Sequence, residues 1–208
     1  MTQEELNEVL RLHKQWLESN GNKGKRADLR RANLKDANLQ GANLQDADLK
    51  GAYMQGVNLQ GADMQNANLK DTDMQDANLQ GADLKGAYMQ GVNLQGAVMR
   101  GADLKGTDMQ DADMQDADMR GADMRGTDMR DANLKGANLD YSAWSLWCGS
   151  FDVKCDIRLA SQLAYHFCRL DCEDKEVVAA QNALITLANK FHRVEECGVL
   201  KPKPTLES

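Results

Sequence analysis

Histidine is almost missing from this chain. His13, His166 and His192 are all it has, and none lies between residues 14 and 165. A catalytic centre in that stretch would have to manage without the commonest general base and metal ligand. No nucleophile elbow or closed metal-ligand set appears instead, and Gly24-Lys25 lacks both the spacing and the following Ser or Thr of a phosphate loop. The chain therefore reads as a non-enzyme. Aromatic residues are equally scarce, at 5%. With a sequence pI of about 5.0, the chain has neither the positive surface nor the stacking rings by which proteins hold nucleic acid, so no direct nucleic-acid binding is expected. No apolar run is long enough to span a bilayer and no leader pattern opens the chain, which points to the cytoplasm and away from a membrane. Cysteine is absent before Cys148. Cys148, Cys155, Cys168, Cys172 and Cys197 are an odd number, expected as reduced thiols in a helical core and not as a disulfide framework. Cys168 and Cys172, even with His166 and His192 counted, match no closed zinc motif, and neither a metal nor another cofactor is expected.

What the chain has in excess is a five-residue unit. From Ala27 to Leu139 the pattern Ala-(Asn/Asp)-(Leu/Met)-polar-(Gly/Asp) runs twenty-three times without an insertion, Ala32-Asn33-Leu34-Lys35-Asp36 being a typical copy. Within a unit the small residue and the Leu or Met are two apart, on the same side of an extended chain. From Leu34 to Ala37 is three, an odd step that would turn Ala37 outward unless the backbone bends. A helix fails as well, since five residues advance it by about 140° and scatter the apolar residues over every face. The main chain must turn after every unit. Right-angled turns close a square in four units, and squares stacked at roughly 4.8 Å give somewhat under six coils and a rod on the order of 27 Å.

This pattern resembles the pentapeptide-repeat family, whose motif centres on a Leu or Phe with a small residue two before it. The resemblance implies a mainly β fold, a right-handed quadrilateral parallel β-helix, with the handedness taken from the family and not from the periodicity. Its core is expected to be the column Leu29, Leu34, Leu39, Leu44 and onward to Leu139. The ten Met of that column, five of them in succession from Met109 to Met129, are expected as flexible core filling. Gly, Asp and Asn in the last position of the unit accept positive φ at the corners. Residues 1–26 read as an N-terminal capping helix and linker: Thr2 and Glu5 form a capping box ahead of Leu6, Val9, Leu10, His13 and Leu17. Residues 27–141 form the β-helix. Residues 142–208 read as a C-terminal helical cap or dimerisation module, with helices marked by Ile157, Ala160, Leu163, Ala164, Phe167 and Leu170 and by Val177, Ala180, Leu184, Leu187, Ala188 and Phe191. Trp144, Leu146, Trp147 and Phe151 are expected to help cover the last coil, and the tail from Lys201 reads as loose. Pairing through C-terminal ends is common in the family, which implies a homodimer through that module.

The net charge of −7 sits in the repeats, which hold nineteen Asp against twelve Lys or Arg. Some members of the family mimic DNA and occupy the DNA-binding saddle of gyrase, a type II topoisomerase. Duplex DNA carries about one charge per 1.7 Å, or about sixteen over such a rod. Twenty-residue steps place Asp63, Asp83, Asp103 and Asp123 in one column, the candidate acidic interaction stripe, although Lys85, Lys105 and Arg125 would partly neutralise it. The acidic run from Asp108 to Asp118 reads as wrapping around the coil. Asp48 to Ala62 recurs letter for letter at Asp83 to Ala97, a shift of thirty-five that moves the copy to another side, as duplication of core units would. The expected function is a non-catalytic structural or protein-interaction scaffold with an unknown protein partner. The alternative is a DNA mimic acting on gyrase.

Overall fold

In the computed structural model, which describes residues 1–144, 157–168, 175–190 and 199–202, every fifth residue from Arg31 to Tyr141 is left-handed, with φ between 55° and 74°. Each sits third in a turn closed by the next small residue: the Ala32 N–H donates to the Leu29 carbonyl at 3.0 Å, and the Ala37 N–H to Leu34 at 3.0 Å. A positive φ at that place is what type II turns require. Thirteen of the corners are Gly; most of the others are Asp, with one Asn, residues whose short polar side chains tolerate this region.

Between corners the chain is extended just long enough to pair. Asp28 bridges Asp48, Asn33 bridges Tyr53, Asn38 bridges Asn58 and Asn43 bridges Asp63, all in parallel and all twenty residues apart. Four units thus make one coil. Asp123–Met124 (β1) and Ala143–Trp144 (β2) form the only pairing longer than one bridge among the described residues, in the same parallel register. The ladder is continuous: Leu34 donates to Tyr53, Asp36 to Gln55, and Tyr53 back to Ala32, at 2.8 to 2.9 Å. Stacked backbone pairing and burial, and not strand propensity, therefore hold a sequence of Ala, Asn, Asp and Gly in β form.

The central Leu and Met residues are buried from Leu29 to Leu139, most of them completely. Each contributes about 1.5–3 kcal/mol. Thr72, Thr107 and Thr127 take the Ala position and are buried too. Their hydroxyls are satisfied inside, Thr72 donating to the Leu69 carbonyl and both Thr107 and Thr127 to that of Leu104, as a buried hydroxyl must be.

Gln3–Glu18 forms α1, started by the expected capping box. Its inner residues replace the coil that would precede the first one. The side-chain amide of Gln3 donates to the Asn38 carbonyl at 3.3 Å and accepts from the Asn38 N–H at 3.4 Å, as a neighbouring peptide group would. His13 Nδ1 accepts from the Ala27 N–H at 3.1 Å, and the Met1 amino group reaches the Asn33 carbonyl. These contacts occupy an edge that would otherwise invite another strand. Gly24 lets the linker turn against α1; a Cβ there would lie 2.2 Å from the Leu12 carbonyl oxygen.

The chain divides into two compact units, Met1–Lys154 and Cys155–Ser208. In the second, Ile157–Cys168 (α2) and Lys175–Ala188 (α3) bury Ala164, Tyr165, Cys168 and Ala188 with Leu184, Ile185, Leu187 and Leu200 against them. Asn189 pins Leu200 by accepting from its N–H and donating to its carbonyl. The buried line of α3 runs through Val178 and Gln181, one residue on from the expected Val177 and Ala180, and Ile157 is exposed. Helical periodicity shows that a stripe exists, but which residues fill it is settled by the facing helix. Leu146, Trp147, Phe151, Leu170 and Phe191, the side chains of Trp144 and Phe167, and the tail beyond Pro202 lie outside the described residues.

The corner requirement has a measurable size. At Gly81 nothing lies within 4 Å of an added Cβ, so a substitution there reports backbone strain alone. Gly81→Ala should cost about 1–2 kcal/mol and Gly81→Asn clearly less, read from urea unfolding midpoints of the two variants.

Candidate interaction site

The register turns the sequence into four sides and four corner ridges. Asp63, Asp83, Asp103 and Asp123 do stack, one per coil, each bridged to the next. Their acids are interleaved with bases. Lys85 Nζ lies 2.9 Å from Asp83 and 3.2 Å from Asp103; Lys105 lies 3.0 Å from Asp103 and 3.3 Å from Asp123; Arg125 grips Asp123 at 2.7 Å. Asp63 and Asp83 also accept from the side-chain amides of Gln45 and Gln65 one coil below. The Arg125 guanidinium holds Asp123 well below the usual carboxylate range. For Asp103 partial burial opposes the charge, yet Lys105 and Lys85 outweigh it and keep its pKa low. This column is a ladder of paired charges that ties successive coils together.

Two of the other sides are built similarly. Arg120 pairs with Asp118 at 2.7 Å and holds it at about 2, Arg100 approaching the same carboxylate from the coil below. Arg130 pairs with Asp128, and Arg30 with Asp28, which is also held at about 2. The corners are different. Arg31 against Asp36, Asp46, Asp71, Asp76, Asp111, Asp116 and Asp131 leaves the ridges at −6, so the four sides together carry only −1.

Six of these seven corner acids, all but Asp46, border one side. Asp73 and Asp113 stand on it, with Asn93 bridging between them. Asp71 and Asp111 occupy the ridge on one border, Asp76 and Asp116 the ridge on the other. Two rows of three carboxylates result, Asp71-Asp73-Asp76 and Asp111-Asp113-Asp116, separated by the row Gly91-Asn93-Gly96 and so about 9.6 Å apart at the usual strand spacing. No Lys or Arg occurs in the units from 51 to 56, 71 to 76, 91 to 96 or 111 to 116. On the adjacent side Lys50 reaches Asp71 at 3.9 Å, Lys70 lies over the Tyr88 ring at 5.7 Å and Arg130 is held by Asp128. Asp73 and Asp113 accept instead from amides, those of Gln55 and Asn93 and of Gln95 and Asn133. The acidic run around Asp111 therefore contributes three carboxylates to the same side as Asp71, Asp73 and Asp76. Reading the sequence linearly hides this. The signal was the matching Asp-x-Asp-x-x-Asp spacing forty residues apart.

Tyr53 and Tyr88 are both about half exposed and occupy different sides, as their thirty-five-residue offset requires. A shallow groove of about 560 Å³ runs between α1 and the first coil, lined by Leu10, Lys14, Leu17 and Ala42 among others. Among the described residues no group of His, Cys, Asp and Glu is placed to hold a metal ion, and no helix is long and apolar enough to cross a membrane. Cys168 is buried, its Sγ 3.3 Å from the Gln181 carbonyl; Cys148, Cys155, Cys172, Cys197, His192 and the side chain of His166 lie outside the described residues.

A family profile described as pentapeptide repeats, with 8 copies, matches residues 25–61, 52–91, 87–126 and 112–142. Among solved structures the chain is similar to HetL, a pentapeptide repeat protein involved in heterocyst differentiation regulation from the cyanobacterium Nostoc sp. strain PCC 7120, at 24% identity and TM-score 0.32, over 62% of this chain and 73% of that one. It is similar to Rfr23 from the cyanobacterium Cyanothece 51142 at 28% identity and TM-score 0.27, over 52% of this chain and 64% of that one. It is also similar to trypsin-treated QnrB1, a plasmid-mediated fluoroquinolone resistance protein, at 19% identity and TM-score 0.32, over 68% and 92%. No curated protein matches the chain significantly.

The paired ladders set a pH dependence. A carboxylate whose folded pKa is depressed stabilises the fold fully above its unfolded value and loses that contribution as pH falls through the folded one. With Asp118 moving from 3.8 to about 2 and Asp123 depressed as well, thermal midpoints should drop as pH falls from about 4 towards 2. The double variant Asp118→Asn/Asp123→Asn should melt lower at pH 7 but with a shallower drop below pH 4; an unchanged drop would place the acid sensitivity elsewhere.

Proposed function

The chain belongs to the pentapeptide-repeat family, and on that premise we propose that it is a non-catalytic scaffold that engages a protein partner through the flat sides of its coil. From the family we further infer that the coil's four sides are wound right-handed and that two copies pair through a C-terminal helical module over residues 142–208; from the sequence we infer a capping helix and linker over residues 1–26, the coil over 27–141, and a cytoplasmic location. The observation that carries the reading is the distribution of charge. Three sides pair acids with bases both within a unit and from coil to coil, which stiffens a rod, while the side bearing Asp73 and Asp113 leaves its carboxylates without basic partners in their own rows. A convex, repetitive surface without histidine suits binding better than catalysis.

A DNA mimic acting on a type II topoisomerase is the second reading, and the same side favours it. Averaged over the rod the charge is far below that of a duplex, but six carboxylates within the rows at 71–76 and 111–116 are locally dense.

Two variants separate these readings. The replacement of Asp71, Asp73, Asp76, Asp111, Asp113 and Asp116 by Asn should abolish capture of whatever protein the wild-type chain retains from its native extract; equal capture by both would reject this side as the contact. In a gyrase supercoiling assay, no effect of the wild-type protein at micromolar concentration would eliminate the mimic, and inhibition lost on Asp73→Lys/Asp113→Lys would eliminate the inert scaffold. Sedimentation of the full chain against residues 1–141 tests the pairing: the full chain should run as a dimer and the truncated one as a monomer, and two monomeric masses would reject it.

A further inference from the structure

The contact between α1 and the coil holds the one histidine of the first unit. His13 is wholly buried. Its ring stacks on Trp16, centroids 5.7 Å apart and 12° from parallel. Nδ1 accepts the Ala27 N–H, the first amide of the coil, so the ring is neutral with its hydrogen on Nε2. That Nε2 is buried with no hydrogen-bond partner, although the Gln45 backbone is near enough to favour the protonated ring. The nearby charges are Arg26 from the linker, whose guanidinium donates to the Asp46 carbonyl, and Asp46 from the first coil. The charges of α1 itself pair on its exposed side, Arg11 with Glu8 and Lys14 with Glu18.

We propose that His13 is a proton-sensitive latch: taking up a proton at Nδ1 turns the acceptor of the Ala27 N–H into a second donor and releases α1 from the first coil. A protonated ring would set two N–H groups against each other and bury a charge beside Arg26, with Asp46 the acid opposing it. In the released helix the ring is solvated and both costs vanish. Burial accordingly lowers the pKa of His13, with Arg26 acting in the same direction and the Gln45 backbone and Asp46 against it. A lowered histidine pKa means that the latch contributes fully above the unfolded value of about 6.5 and weakens as pH falls below it. What opens is the lower edge of the coil, where Gln3 now occupies the amide and carbonyl of Asn38 and where a strand from a second chain can add.

Amide hydrogen exchange on the full chain tests this, with coil amides such as Leu84 and Met89 in the same sample correcting for the intrinsic effect of pH. Between pH 7.5 and 5, α1 amides should lose up to about tenfold of their protection per pH unit of latch titration, the limit for uptake of one proton, in step with the His13 ring signal, while the coil keeps its own. His13→Gln, which supplies a non-titrating acceptor to Ala27, should show a flat profile. Protection of α1 that persists to pH 5, or an equal loss in His13→Gln, would overturn the proposal. If α1 of His13→Gln is unprotected already at pH 7.5, the wild-type ring titration decides: release coincident with it supports the latch, and release only below about pH 4.5, with the carboxylates, rejects it.

Discussion

A left-handed residue every fifth position is the constraint from which everything else in the coil follows. It reverses the parity of the backbone once per unit, so that Ala32, Leu34, Ala37 and Leu39 all turn inward although their spacing alternates between two and three. Remove that bend and either the apolar residues or the backbone pairing would be lost to solvent. Arg31 and Tyr141, the two corners that are not Gly, Asp or Asn, stand at the first and last units, where a strained corner disturbs coils on one side only.

Because the turns are regular, the chemistry of the surface is organised by columns and not by neighbours in sequence. A base two residues after an acid falls beside it and reaches the acid of the next coil, as Lys85 does between Asp83 and Asp103. Half of the coil's twelve bases are used this way. The acids outside these pairs are chiefly those at the corners, where positive φ favours Asp, together with Asp73 and Asp113 on the side between two such ridges, so the acidic side is partly a by-product of the fold's own geometry. That gives the surface a polarity which binding can exploit without any special loop.

Much of this was legible in the sequence and some of it was not. The odd unit length required a bend, the residue types at the fifth position said where, and Thr2 with Glu5 marked the start of α1. The column of Asp63, Asp83, Asp103 and Asp123 followed from twenty-residue steps, as did the bases beside it. The acidic side did not, because Asp71 and Asp111 are forty residues apart and belong together only once corners and sides are counted as one surface. Nor did the roles of Gln3 and His13: helical periodicity places both on α1 but says nothing about which groups will meet the first coil. The one-residue offset in α3 has the same origin, a partner helix that pattern alone does not specify.

On the ridge through Asp36, Gly56, Asp76, Gly96, Asp116 and Gly136, aspartate and glycine alternate strictly from coil to coil. The carboxylate of each aspartate lies over the glycine above it; an oxygen of Asp76 is 2.5 Å from where a Cβ on Gly96 would be, and Asp36 stands in the same relation to Gly56. The smallest length of chain that restores every environment on this ridge is therefore two coils and not one. A change of forty residues in the length of the rod keeps each Asp of this ridge against a Gly, whereas a loss of twenty would set Asp against Asp and would have to be accompanied by compensating substitutions along this corner.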